Sequence, residues 1–229
     1  MEVAGAVLAV LLALAAPAFA NDPDMLQDMK ISEHRFSHKH INLQSSWKRV
    51  NVNGFACKGI AEITPDDFFF AGLAKPGPTN NTQGSLVTGA NVEKIPGLNT
   101  LGVSMSRIDY APGGLNPPHT HPRATEMVFV LYGELDVGFL TTANKLISKH
   151  IKAGETFAFP RGLVHFQKNN GHTPAAVIAA FNSQLPGTQS IAATLFTSTP
   201  PVPDNVLTKA FQVGTKEVRK IRAKLAPKK

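Results

Sequence analysis

Three side chains of this protein, His119, His121 and Glu126, share one kind of chemistry and lie together within residues 113–133, GGLNPPHTHPRATEMVFVLYG. Neutral imidazole and ionised carboxylate both offer lone pairs, so the set reads as ligands for a divalent cation. On an extended segment, residues two apart project to the same face. His119 and His121 therefore form a pincer, with Thr120 facing away. Glu126 stands five residues past His121, where strict alternation would turn it to the wrong face. The chain must bend or bulge between them, and Pro122 supplies the break. Downstream, residues 154–169, GETFAFPRGLVHFQKN, repeat the pattern of glycine, apolar strand, Pro-Arg-Gly turn and second strand. Their one histidine, His165, is the expected fourth ligand.

Three neutral imidazoles and one carboxylate leave a divalent ion with one net positive charge. Such an ion, if octahedral, keeps two open positions for water, an oxygen species or a substrate carboxylate. Zinc more often settles for four ligands, whereas mixed nitrogen and oxygen sites with open positions suit manganese or iron.

Short strands are expected to position these ligands: SLVTGANV, TLGVSMSRIDY, EMVFVLYG, ELDVGFL, KLISKHI, TFAFP, VHFQKN and AAVIAAFN, parted by turn signals such as Tyr-Gly-Glu and Ala-Gly-Glu. Many short strands at even spacing mean an all-β sandwich or barrel. Val128 and Val130 share a face with Glu126, which points the carboxylate inward. Ahead of them, TPDDFFFAGLA places Thr64 or Asp66 to cap a helical turn that carries Phe68 to Phe70 into a core. The polar loop KPGPTNNTQGS follows, and its Asn80-Asn81-Thr82 is an expected glycosylation site at Asn80. Beyond PPVPDN the apolar period lengthens to that of a helix. VLTKAF and KEVRKIRAKL are expected as a pair of α-helices with little core of their own to cover.

The first 20 residues, MEVAGAVLAVLLALAAPAFA, form an apolar run ending in small-x-small Ala18-Phe19-Ala20. They read as a secretory signal peptide cleaved after Ala20, although Glu2 stands where a positive residue is usual. No later stretch resembles a membrane span. Hydrophobic residues at 43% and charged residues at 17% exclude wholesale disorder. The net charge of +7 is spread out except in the C-terminal KEVRKIRAKLAPKK, which argues against a nucleic-acid site and for a basic surface that meets acidic wall polymers or membrane surfaces.

The wording NTLGVSMSRIDYAPGG, NPPHTHPRATE and FPRGLVHFQ resembles the plant germin-like proteins of the cupin superfamily. The resemblance runs from about Asn53 to the C-terminus and includes NDPDMLQD after the leader. It implies a jelly-roll barrel of cupin type, manganese at His119, His121, Glu126 and His165, and a hexamer built as a trimer of dimers in which the C-terminal helices clasp neighbouring subunits. The chain then divides into a signal peptide (1–20), an N-terminal extension (21–52), a cupin barrel (53–202) and a helical segment (203–229).

Several residues gain meaning only beside that family. Germin-like chains carry a cysteine near the position of Lys30 that bridges to one matching Cys57; here Cys57 is the one cysteine and stays unpaired. Residues 29–50, MKISEHRFSHKHINLQSSWKRV, read as foreign to their surroundings, consistent with altered splicing or a misplaced exon boundary. Their His38-Lys39-His40 lacks a carboxylate partner at strand spacing. Asn116 matches an asparagine that lies beside the substrate in oxalate-oxidising germins, and its bland reading is a turn residue before Pro117. Ser106 stands where those germins carry a second asparagine, which puts oxalate oxidation in doubt. Arg161 reads as a turn residue more than as an anion guide. Two functions follow from the resemblance: an apoplastic, defence-related manganese enzyme with superoxide dismutase activity, or a wall-associated binding or receptor-like protein whose metal is structural.

Overall fold

The structure is a computed structural model that describes residues 51–226. The leader, residues 29–50 and His38-Lys39-His40 lie outside the described residues. A two-stranded hairpin of β1 (Asn51–Val52) and β2 (Phe55–Ala56) opens the described chain. Ten further strands form the barrel: β3 (Ser85–Ala90), β4 (Ser104–Tyr110), β5 (Leu115–Thr120), β6 (Glu126–Tyr132), β7 (Glu134–Leu140), β8 (Leu146–Lys152), β9 (Thr156–Phe159), β10 (His165–Lys168), β11 (Ala175–Phe181) and β12 (Gln189–Ser190). They pair antiparallel in two five-stranded sheets, ordered β12-β5-β10-β7-β8 and β3-β4-β11-β6-β9. Strands adjacent in sequence fall in different sheets at several points, which is the jelly-roll arrangement.

The apolar alternation explains which faces meet. In β6, Glu126, Val128 and Val130 are buried while Met127, Phe129 and Leu131 are exposed, as the period of two requires. Ile108, Tyr110, Leu135, Val137, Ile151, Phe159 and Val177 join them in one core between the sheets. Gly133, φ +77°, makes the tight turn from β6 to β7, where an added Cβ would fall 2.6 Å from Ala175 Cβ.

Strand β5 was not in the strand series above, because its sequence LNPPHT carries two prolines. Proline lacks the N–H that a ladder needs, yet β5 pairs on both sides. The ladder with β10 sets His119 opposite His165 and Asn116 opposite Gln167, with a register shift between. Three residues of β5 thus span two of β10. The extra residue is a bulge at Pro117-Pro118, where a missing donor costs the ladder least.

Two expectations need correction. Phe68 and Phe69 do not enter a core: they are 58% and 65% exposed, and only Phe70 is half-buried. The 3-10 turn Pro65–Phe68 is too short to bury more than one side, and Asp67 takes that side. Its carboxylate accepts the Thr64 backbone N–H at 2.9 Å and pairs with Lys58. The second correction is at the C-terminus, where three helices stand instead of two: α1 (Ile191–Thr197), α2 (Asp204–Phe211) and α3 (Thr215–Leu225). They do have a core of their own, formed by Phe196, Leu207 and Val218. Arg222 of α3 reaches Asp204 at the start of α2 and helps to close the trio.

Candidate metal centre

The four candidate ligands converge from both sheets. His119 is the next-to-last residue of β5, His121 follows the strand in the turn, His165 opens β10, and Glu126 opens β6 of the opposite sheet. One nitrogen or oxygen from each lies within 4.8 Å of the others, and all four residues are buried. Glu126 Oε2 stands 3.0 Å from His121 Nε2, 2.9 Å from His165 Nε2 and 4.0 Å from His119 Nε2. The bend required between His121 and Glu126 is a turn, closed by the Ala124 N–H donating to the His121 carbonyl.

Surrounding groups decide which ring nitrogen faces the centre. His119 Nδ1 lies 2.8 Å from the Pro117 carbonyl, and His165 Nδ1 lies 2.8 Å from the Leu163 carbonyl. A carbonyl only accepts, so both Nδ1 atoms carry the proton and both Nε2 atoms present lone pairs inward. Phe159 stacks on the His165 ring at 4.5 Å, and Phe181 meets His121 edge-on at 4.8 Å, so neither ring is free to turn. Lone pairs from these two imidazoles and a carboxylate oxygen therefore face one another in a buried space. That arrangement is repulsive unless a cation occupies the centre, and a divalent ion fits it.

The ionisation states agree. Burial, with repulsion from His165 added, lowers His119 to about 4, so its imidazole is neutral at ordinary pH. Burial works to raise the Glu126 carboxyl, but the His121 and His165 rings, where they carry a proton toward it, outweigh that effect and hold it at about 2, a place that a cation at the centre takes over from those protons. An ionised carboxylate beside neutral imidazole is the state that metal ligation requires.

A cavity of about 470 Å³ opens beside the centre. Asn116 and Ser106 both line it, Asn116 half-buried and Ser106 buried. Arg161 is exposed in its turn and does not line that cavity. Asn80 is exposed in its loop, and Cys57 is exposed and free among the described residues. Sequence reasoning missed two parts of the site. Gln167 is wholly buried and donates from Nε2 to Glu126 Oε1 at 3.3 Å. It stands two residues past His165, so strand alternation alone would have placed it on the ligand face. The other part is the 185–188 loop at the cavity wall. Arg123 Nε donates to the Leu185 carbonyl at 2.7 Å, and Gly187, φ +68°, lets the loop pass where a Cβ would fall 2.6 Å from the guanidinium.

Two antiparallel sheets enclosing a buried three-histidine, one-glutamate group define the cupin class, and the family profile described as Cupin matches residues 71–219. The chain belongs to the germin-like proteins of that family. It is 70% identical over 226 residues to germin-like protein 5-1 of Oryza sativa subsp. japonica, covering 98% of this chain and 96% of that one. It is 75% identical over 180 residues to the rhicadhesin receptor of Pisum sativum, covering 79% of this chain and 83% of the other. A solved oxalate oxidase in complex with the substrate analogue glycolate shares the fold with a TM-score of 0.75 at 49% identity, over 81% of this chain and 96% of that one.

Proposed function

We propose that this chain is a secreted, manganese-binding germin-like protein of the apoplast that dismutates superoxide and does not oxidise oxalate. The observation that carries the reading is the convergence of ligand atoms from His119, His121, Glu126 and His165, buried beside an open cavity. Manganese, when bound there, supplies the one-electron couple that dismutation needs. The protein's part is to keep the ligands oriented and leave one side accessible to a small oxygen species. Apolar walls from Phe181 and Ile108 limit the water that accompanies it. Against oxalate oxidation stands Ser106 in the cavity wall, a side chain too short to replace the second asparagine of oxalate-oxidising germins. Losing one polar contact to a small dicarboxylate costs about 1 to 3 kcal/mol.

A second reading has its own support: the pea relative is named a receptor, which favours a wall-associated binding protein with a structural metal. One experiment separates the two. Manganese-loaded protein is assayed for superoxide decay and, separately, for oxalate-dependent peroxide, with His119→Ala as control. Dismutation lost in the variant supports the enzyme. Decay that persists in the variant comes from loose manganese and favours the binding protein, and oxalate-dependent peroxide lost in the variant would show that Asn116 suffices without a second asparagine.

The exposed surface supports two further parts of the reading. Met105, Met127, Phe129 and Leu131 form an uncovered apolar face on the second sheet, suited to assembly with further copies in a hexamer. On α3, Lys216, Lys220 and Lys224 recur at intervals of one helical turn, all exposed and outside the ion pairs found among the described residues. That stripe suits acidic wall polymers. Asn80, exposed in a polar loop, is the glycosylation site this reading assigns.

A further inference from the structure

Glu126 has two oxygens, and the histidines face only one of them. Oε2 is turned to His121 and His165, while Oε1 accepts the hydrogen bond from Gln167 Nε2. At its other end, Gln167 Oε1 accepts from Asn116 Nδ2 at 2.8 Å and from the Tyr110 hydroxyl at 3.4 Å. The directions along this path are forced. An ionised carboxylate only accepts, so the amide nitrogen of Gln167 must face Glu126 and its carbonyl must face Asn116 and Tyr110. Burial first, and then the charges of Glu126 and Asp109, push the Tyr110 phenol well above its ordinary range, so it keeps its proton and donates. Asn116 commits one N–H to Gln167. Its carbonyl oxygen and second N–H remain to address the cavity that it lines.

We propose that Gln167 is a positioning residue that couples the cavity wall at Asn116 to the ligand carboxylate of Glu126. The orientation of the Asn116 amide and the orientation of Glu126 at the metal are then a single state, so a molecule that engages Asn116 alters the metal's ligand field without touching a ligand. The inference rests on the metal reading above. Among the described residues no hydrogen bond joins the Asn116 side chain directly to the four ligands, and the side-chain path from it to them runs through Gln167. Removing the glutamine amide strands Glu126 Oε1 without a donor in a buried site and frees the carboxylate to rotate.

The test is manganese(II) affinity, measured by competition with a chelator, together with the manganese(II) electron paramagnetic resonance spectrum. Both are recorded for the parent, Asn116→Ala, Gln167→Met and the double variant. Gln167→Met is expected to bind manganese(II) about 10-fold or more weakly with an altered zero-field splitting, the usual scale for losing a partner of a metal ligand. Asn116→Ala should shift both readouts in the same sense by a smaller factor. The double variant should be no weaker than Gln167→Met, because both changes cut one path. A folded Gln167→Met that stays within about twofold of the parent, or losses that add in the double variant, would overturn the coupling. Asn116 is half-buried at a cavity wall, so its variant carries the test even where Gln167→Met does not fold; an unchanged affinity and spectrum there would sink the proposal. A parent that takes up no manganese(II) would bring down the metal reading and this one together.

Discussion

His165 is the ligand whose loss is most telling, because it is the one histidine that comes from the second motif. His165→Ala removes a buried Nε2 that faces Glu126 at 2.9 Å, and among the described residues the centre holds no spare His, Cys, Asp or Glu to replace it. The protein purified without chelator should carry about one manganese per chain, and this variant should lose most of it. Elemental analysis decides the matter: full zinc occupancy, or manganese undiminished in the variant, would end the assignment. At this scale the ligands were legible because histidine and glutamate at short spacing announce their chemistry. Gln167 was not, since a neutral amide announces no chemistry of its own and only its spacing from His165 on β10 points to it. Asn116 was legible only through family likeness. Three residues before His119, plain alternation would turn it to the opposite face, and only the Pro117-Pro118 bulge returns it to the interior.

Among the elements, the strands with clean alternation were readable and β5 and α1 were not. Two prolines hid β5 from any strand pattern. Helix α1, IAATLFT, is seven residues of small and apolar type with no side-chain cap, too short to develop a helical period against the strands before it. The β7-β8 hairpin makes a prediction about pH. His150 on β8 lies 2.9 Å from Asp136 and 3.3 Å from Glu134 across the ladder. Hydrogen bonding to Asp136, with Glu134 adding to it, raises His150 above its usual 6.5. Because the folded value is raised, the stabilisation is fully present below the unfolded value and disappears as pH rises through the folded one. A nuclear magnetic resonance titration should place the His150 midpoint above that of an unstructured histidine, and Asp136→Asn should lower it. A midpoint at or below the unstructured value would show that the hairpin does not hold this cluster.

For the molecule as a whole, two surfaces besides the apolar sheet face have measurable consequences. The helical trio leaves Val206, Phe211 and Val213 well exposed, an uncovered apolar area next to its own small core. If neighbouring subunits cover it, the mature protein scatters light as a hexamer and truncation before Asp204 yields smaller species. A monomeric full-length protein would contradict the assembly. The lysine stripe on α3 should hold the protein on immobilised polygalacturonate at low salt and release it as salt rises. Changing Lys216, Lys220 and Lys224 together to Gln should abolish retention, and retention unchanged in that variant would move the polymer contact elsewhere. The global fold was legible from strand count and family wording, whereas the separate helical core was not, because its members, Phe196, Leu207 and Val218, come from three elements that share no local pattern.

The pairing of His119 with His165 has a bearing on how such chains tolerate change. The two motifs are bridged by a ladder bond, and within the excursion between them β7 and β9 brace the ligands, so only the 142–145 loop joining β7 to β8 is a detour whose length does not enter the geometry of the centre. The Thr141–Lys145 turn, where Asn144 adopts φ 57°, follows the β7 residue Phe139 that pairs with His165, and its residues 142–145 are exposed. Extra residues grafted there lengthen the detour and leave the meeting point where it was, since closing a longer loop adds only about 0.6 kcal/mol for each doubling. A peptide tag or small domain inserted at Asn144 should therefore leave the manganese content untouched. The same insertion between Pro117 and His119 would break the metal centre outright.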